Sequence, residues 1–577
     1  MNKRRIVLFA TLFFGTSLTV LLAAHLLAVS EPPSLAAMLP DGALLYLESP
    51  DFHSLISDWN QSPEKQAWLK SDNYDVFSRS RLFGRLSAAQ TEFAAAAGLP
   101  PDMQLIAEVA GKQSAFAWYD IGKLEFVYLT RMPSGAFDQS RLWQARSKFE
   151  HREASGSDFY LRTDPQSGRT VAFAAVDDWV ILGTGQDLVA DTLTLVKGAK
   201  THPLSDEPWY AEAVGQAKSP GDLRMVLNLQ KVVPSPYFRS YWVQQNITNM
   251  KQYRAAVSDL YRDKALYREE RVLLRGAGAS SPSASVDISS LAAAAPSDAG
   301  FYQAIGAPDS AHALSILQEK LLDPKPALTL NNRNAPNPEL TEQNAGQGTD
   351  FETRIDEAPA DAVAANTSPA DAWKPFRSAL DAARITGLLE VESSAVQADS
   401  IFRGFHSAVV ISAEHDWPID RLEASLSSGL QSRLTTSRLG VNWSRKEGYL
   451  ECDGLLPLFV SAQGKYIILS NDRNLLLALR AKLTDLPPAH EPAVYVAGFN
   501  HASESASFSS ITWLIDRANQ RGASAGESKL DAEGESPALF SGNIASLSQT
   551  FSAMTSEKIT MRDAGEKVTQ TVTYEWK

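Results

Sequence analysis

The sequence predicts an α+β protein: two tandem related domains with mainly antiparallel sheets packed by helices, behind one N-terminal transmembrane helix. Three observations predict it. One pattern occurs twice, at 171–197 (VAFAAVDDWVILGTGQDLVADTLTLVK) and at 458–483 (LFVSAQGKYIILSNDRNLLLALRAKL). Each copy reads as an apolar strand, a polar hairpin tip, a second apolar strand, a short turn and an amphipathic helix. The elements flanking the two copies recur in the same order, as internal duplication requires. Residues 6–29 form an apolar run whose one strongly polar side chain is His25.

That run follows Lys3, Arg4 and Arg5. Twenty-four helical residues span about 36 Å, enough to cross a bilayer core. The basic flank stays cytoplasmic, which places everything after Ser30 on the extracytoplasmic (periplasmic) side. A cleaved signal peptide at Ala28-Val29-Ser30 is the competing reading and would make the chain secreted. The run exceeds a usual signal core of about 7–15 residues, which favours an uncleaved anchor. Residues 1–33 are thus the basic tip and anchor.

Residues 34–275 form the first repeat. Pro40-Asp41-Gly42 has turn chemistry, Ala43 to Glu48 reads as a strand, and Pro50-Asp51 opens a helix to Trp59. A helical region follows across 63–97, with Leu82, Leu86, Phe93 and Ala97 on one face and a stop at Gly98 with Pro100. Residues 111–120 and 124–132 read as a hairpin around Ile121-Gly122-Lys123. A helix is expected over 137–149, then the repeated pattern, then a strand at 222–229. A helical run near 246–261 leads to a closing strand at 265–275.

Residues 276–290 read as the linker, within a Ser/Ala-rich stretch. The second repeat, 291–577, has Tyr302 where the first has Tyr46, and Gly404–Val410 in place of Gly111–Ala117. A helix at 418–430 stands for 137–149, Trp513 falls opposite Trp242, and 567–576 is the closing strand. The insert 324–371, nearly free of large apolar residues, is expected to be disordered, and 520–537 is a smaller polar loop. The resulting order is strand, helix, hairpin, helix, hairpin, helix, strand, with the helices on one face of each sheet.

The segment LPDGALLYLESPDF, a strand pair and then DDWVILGTGQDLVADTL resemble domain of unknown function 3352, a family of uncharacterised bacterial membrane-anchored envelope proteins. The shared motifs are the Leu-Pro-Asp opening at 39–41 and the strand, turn and Gln-Asp-Leu helix at 178–193. The resemblance implies an exported, anchored protein and brings no catalytic residue with it.

Composition narrows the function. Net charge is −13, and the three basic residues of the amino terminus leave the remainder more acidic still. Such a chain lacks the footprint for phosphate backbones, so no nucleic acid is expected. The single cysteine, Cys452, excludes an internal disulfide framework and a multi-cysteine metal site. Its setting in Tyr449-Leu450-Glu451-Cys452-Asp453 alternates like a strand, making it a small buried hydrophobe.

No catalytic, cofactor-binding or metal-binding residue is assigned. Gly183-Thr184-Gly185 lies where a phosphate loop would lie, but the second copy replaces it with Ser470-Asn471-Asp472. A turn with Asp187 or Asn471 near the helix N-cap accounts for both. Asp177-Asp178 fits a hairpin tip better than a glycosidase pair, because adjacent strand residues face opposite ways. The candidate binding surface is the aromatic cluster Tyr237, Phe238, Tyr241 and Trp242, with core packing as the competing reading. These features point to a non-catalytic membrane-anchored extracytoplasmic protein with a binding, structural or assembly role in the cell envelope and an envelope protein as partner. The alternatives are an exported hydrolase with a site assembled from distant residues, and a lipid or lipoprotein handler.

Overall fold

The computed structural model describes residues 34–235, 250–276, 286–322, 372–396, 403–430, 441–487, 492–504 and 554–576, with short gaps within 63–80 and at 121, 134, 200–201 and 454–456. The apolar run 6–29, the insert 324–371, the loop 520–537 and the aromatic residues Tyr237, Phe238, Tyr241, Trp242 and Trp513 lie outside the described residues. No helix among the described residues is long and apolar enough to cross a membrane. The chain is α+β, with antiparallel sheet packed by helices. By contacts it divides into two compact units, Met1–Asp58 with Arg85–Val257 and Trp59–Gly84 with Ser258–Lys577.

The first unit holds β1 (Leu45–Ser49), β2 (Ser114–Asp120), β3 (Glu125–Arg131), β4 (Glu150–Ala154), β5 (Ser157–Thr163), β6 (Thr170–Val176), β7 (Trp179–Gly183) and β8 (Leu223–Leu227). They pair in the order β8-β1-β2-β3-β7-β6-β5-β4, each ladder antiparallel. The expected second hairpin is therefore part of a four-stranded meander, β4 to β7. The helices α1 (Phe52–Gln61) and α2 (Arg81–Ala97) are cut by the boundaries of this unit at Asp58 and Arg85, whereas α3 (Met103–Val109), α4 (Gln186–Val196) and α5 (Pro208–Gly215) lie within it. Gly98 ends α2 in the left-handed region, at φ +68°, with its amide bonded to the Ala94 carbonyl.

The expected helix at 137–149 is broken into a 3₁₀ turn (Phe137–Gln139), one α turn (Arg141–Gln144) and a second 3₁₀ turn (Ala145–Lys148). Ser140 breaks it: its backbone is extended and its hydroxyl caps the Trp143 amide, so a new helix must start there. Phe137, Leu142 and Phe149 still reach one buried cluster with Tyr128, Phe173 and Leu182.

Arg141 ties this segment to α3, reaching Glu108 Oε1 at 2.9 Å and Asp102 Oδ1 at 2.6 Å. Asp102 also caps the Leu105 amide at 2.8 Å. The hydrogen bond from Arg141 is the main cause that holds the Asp102 carboxyl down at about 2, against an ordinary 3.8. A carboxyl lowered on folding stabilises above its unfolded value, and that contribution is lost as pH falls from about 3.8 to about 2. Asp102→Asn keeps a capping oxygen but removes the charge. Its acid-unfolding curve should therefore be shallower than that of the parent across this window, as circular dichroism at stepped pH would read.

The second unit contains β11 (Phe301–Gly306), β12 (Ile385–Val396), β13 (Arg403–Ala413), β14 (Asn442–Lys446), β15 (Tyr449–Asp453), β16 (Leu458–Gln463), β17 (Tyr466–Ser470) and β18 (Tyr495–Phe499). Their order is β18-β11-β12-β13-β17-β16-β15-β14, again antiparallel throughout and strand for strand the order of the first unit. Beyond β18 the sheet continues through β19 (Met554–Asp563), β20 (Lys567–Trp576) and β10 (Leu266–Arg275). The division by contacts falls inside β9 (Tyr253–Asp263), ahead of the linker that the composition marks.

Three expectations need correction here. Residues 253–261, read as the end of a helical run, are strand β9, where Ala255, Val257 and Asp259 are buried in alternation, a period of two. Gly404–Val410 does not occupy the place of Gly111–Ala117. It lies in β13, whose neighbours make it the counterpart of β3, while β12 is the counterpart of β2. The shared Gly-x-x-Ser-Ala pattern suits either strand, and the unrecognised β12 allowed the slip.

Helices also cover both faces of the sheet, not one. Leu388, Val409, Ile411, Ile467 and Leu469 pack with α6 (Ser310–Leu317), α7 (Lys374–Ala383) and α8 (Ile419–Leu430). Their strand neighbours Leu389, Val391, Ala408, Val410 and Ile468 pack on the opposite face with α9 (Arg473–Thr484). Burial on both faces is why these strands read as continuous apolar runs. Tyr46 and Tyr302 do share a place, each the second residue of its strand. Cys452 sits in β15 opposite Trp443 and Leu458, 4% exposed.

Candidate functional site

The two turns that invited a phosphate reading are held by side chains. Thr184 Oγ1 accepts from the Phe126 amide at 2.9 Å and donates to the Leu124 carbonyl at 3.0 Å, which ties the turn to β3. A Cβ at Gly183 would stand 2.8 Å from Val189 Cγ2, so this glycine admits α4 onto the sheet. In the second unit Asn471 is not the cap. Its amide donates to the Phe405 carbonyl and accepts from the Ser407 amide, while Asp472 caps Leu475 at 2.7 Å. Asp472 Oδ2 also takes His406 Nδ1 at 2.8 Å. In the first unit Gly185 is the N-cap and Asp187 lies in the first turn of α4.

Asp177-Asp178 is the hairpin tip between β6 and β7, with Asp177 at φ +54°. Gly464 holds the same place between β16 and β17, at φ +55°. Glu269 is bound by Arg271 and Ser258, and Glu414, His415 and Asp416 are exposed.

The candidate site is a polar cluster on the strands of the second unit, where the equivalent positions of the first are apolar. Gln303 on β11 stands directly opposite Glu390 on β12, and Gln303 Nε2 donates to Glu390 Oε2 at 2.6 Å. Glu390 is 1% exposed. Lys320, in a short π-helical turn (Gln318–Leu322) that follows α6, reaches Glu390 Oε1 at 2.6 Å and Glu392 Oε1 at 3.1 Å. Tyr495 on β18 donates to Gln303 Oε1 at 3.3 Å. Burial and then the Glu390 charge push the Tyr495 phenol above its ordinary value. At Lys320 burial alone would lower the pKa, but the bonds to Glu390 and the nearby charges outweigh it and hold the ammonium above its usual value.

The register of the first sheet places Leu47, Phe116 and Trp118 where the second has Gln303, Glu390 and Glu392. An apolar row in the first unit corresponds to an ionic row in the second. Replacing a buried ion pair by packed apolar groups is often neutral or stabilising. The ionic row thus has no inherent stability advantage over the apolar one, and π-turns such as the one that carries Lys320 are frequent at functional positions. The ammonium, kept charged between two carboxylates, serves as a latch rather than a nucleophile. It fixes the end of the α6 segment to the sheet immediately before the 324–371 insert. One signal in the sequence points to it: in LLEVESS, Leu388, Glu390 and Glu392 alternate onto one strand face.

No family model matches the chain. No curated protein matches it either. Among solved structures, crystal form I of TP0453 is 13% identical with a TM-score of 0.24, over 43% of this chain and 81% of that one. Crystal form IV is 10% identical with a TM-score of 0.23, over 41% and 79%, and crystal form III is 9% identical with a TM-score of 0.24, over 42% and 80%. Likeness at these TM-scores carries no argument about fold or function.

Proposed function

We propose that the chain is a non-catalytic, membrane-anchored extracytoplasmic protein, in which two tandem copies of one α+β unit serve a binding, structural or assembly role in the cell envelope. The observation that supports this reading most is the repeated eight-strand order, present in both units. Duplication of a scaffold with polar clusters that differ between copies suits recognition of a partner better than one shared reaction. The apolar run 6–29 behind Lys3, Arg4 and Arg5 supports the anchor, and the resemblance to domain of unknown function 3352 points the same way.

Carbonate extraction and protease protection of native membranes test the placement: the full chain should resist extraction and be digested only from the extracytoplasmic side. Crosslinking in those membranes should then yield a discrete adduct with an envelope protein. Release by carbonate, or a chain found alone after crosslinking, overturns the reading.

A further inference from the structure

The strongest difference between the units, after the ionic row, lies at the corner where the repeated hairpin meets the neighbouring strands. In the first unit the row runs Trp179 on β7, Arg131 on β3 and Gln113. Arg131 fills this corner itself. Its guanidinium lies 6.0 Å from the Trp179 ring centroid, 3.7 Å from Asp178 Oδ2 and 3.4 Å from Gln113 Oε1. In the second unit the same row reads Tyr466, Ser412 and Gly387. The long cation has become a hydroxyl, the amide has become a hydrogen, and the acid of the hairpin tip has become Lys465. Ile288 and Leu291 close over Gly387, and beside them Ser412, Lys465 and Tyr466 line a cavity of about 350 Å³, within the usual ~300–1,000 Å³ of small-molecule sites.

Its lining is more apolar than polar, and exposed residues of both charge signs, Asp287, Glu414 and Lys465, border it. Among the described residues no carboxylate pairs with Lys465. Its carbonyl is used by the Ala413 amide and by Trp417 Nε1, which fixes the backbone that presents the side chain. Thr386 Oγ1 and Ser412 Oγ lie 2.9 Å apart on the wall, and Ser412 Oγ also donates to the Gly387 carbonyl at 3.2 Å. Asp287, also in the lining, accepts at Oδ1 from the Ser289 amide at 3.0 Å, the Ser289 hydroxyl at 2.7 Å and the Ala493 amide at 3.0 Å. That leaves Asp287 Oδ2 as an acceptor. Glu414 on the rim is paired with Arg384 at 3.3 Å, which offsets its charge. Ile288 and Leu291 supply the apolar floor.

We propose that this cavity binds a small zwitterion of the amino-acid class, its carboxylate against Lys465 and the Thr386 hydroxyl and its ammonium against Asp287. One ligand then satisfies both wall charges, whereas a simple anion would leave Asp287 facing it and a simple cation would meet Lys465. The inference deepens the binding role proposed above and fails separately from it, because membrane placement and crosslinking do not depend on this corner.

The test uses the full chain in detergent, with free amino acids as probes and acetate and methylamine as half-ligands, read by ligand-observed NMR and calorimetry. At least one amino acid should saturate, and Lys465→Asp should weaken it about tenfold or more, the loss of a charge-assisted contact. Ser412→Arg with Lys465→Asp rebuilds the corner of the first unit. That double variant should keep the parental melting curve and lose binding. Saturation by acetate as strong as by any amino acid, no saturation by any probe, or binding that survives the double variant overturns the proposal.

Discussion

Lys320→Ala should lower the stability of the second unit by about 3–5 kcal/mol, because it leaves Glu390 charged, buried and without its cation. Glu390 is 1% exposed, and among the described residues it retains only the Gln303 amide after the substitution. Denaturant titration followed through tryptophan fluorescence measures the loss. The companion variant Lys320→Met, Glu390→Leu, Gln303→Leu replaces the ionic row by an apolar one like that of the first sheet, and should recover most of it. If Lys320→Ala costs less than about 1 kcal/mol, as an exposed pair would, the latch is refuted.

Arg275→Met is the second substitution with a large expected effect. Arg275 and Asp563 form a bidentate pair at 2.7 and 2.6 Å, with side chains 7% and 8% exposed, and Arg275 Nη1 also reaches the Gly565 carbonyl at 2.8 Å. These contacts hold the end of β10 against the β19–β20 turn, so about 3–5 kcal/mol should be lost when the cation goes. The pair also has a pH signature. The Arg275 hydrogen bond is the main cause that places the Asp563 carboxyl below its ordinary 3.8. The stabilisation is present above that value and disappears as pH falls through the lower native one. Arg275→Met should therefore be less stable than the parent at neutral pH and approach it in acid. A constant gap from pH 7 to pH 2 would refute the assignment.

Local patterns were the legible part of this fold. The apolar strand, two-residue tip and helix at 171–197 and 458–483 stand as read, because two-residue hairpins and amphipathic helices announce themselves within one window. The order of the flanking strands was harder. β12 is buried on both faces, so its run has no clean alternation, and without it β13 was matched to β2. Strand β9 alternates small and polar residues whose helix-like composition hid the period of two. The break at Ser140 is a capping choice between two equally apolar half-helices. The ionic latch is legible only on its strand side, in the alternation of LLEVESS: Lys320 and Glu390 lie on opposite sides of the 324–371 insert, and only the fold brings them together. Asn471 lies next to the N-cap as read, with Asp472 as the capping residue itself.

The buried position of Cys452 has a practical consequence. The only thiol of the chain lies between Trp443 and Leu458 in the sheet, closed to maleimide reagents while the fold is intact. A cysteine introduced at an exposed position therefore becomes the sole fast-labelling site, with no need to remove the native one. Spin labels or fluorophores placed singly along α9 or at the hairpin tips would report ligand entry at the Lys465 corner. Slow reaction of Cys452 itself would then time the opening of the second unit.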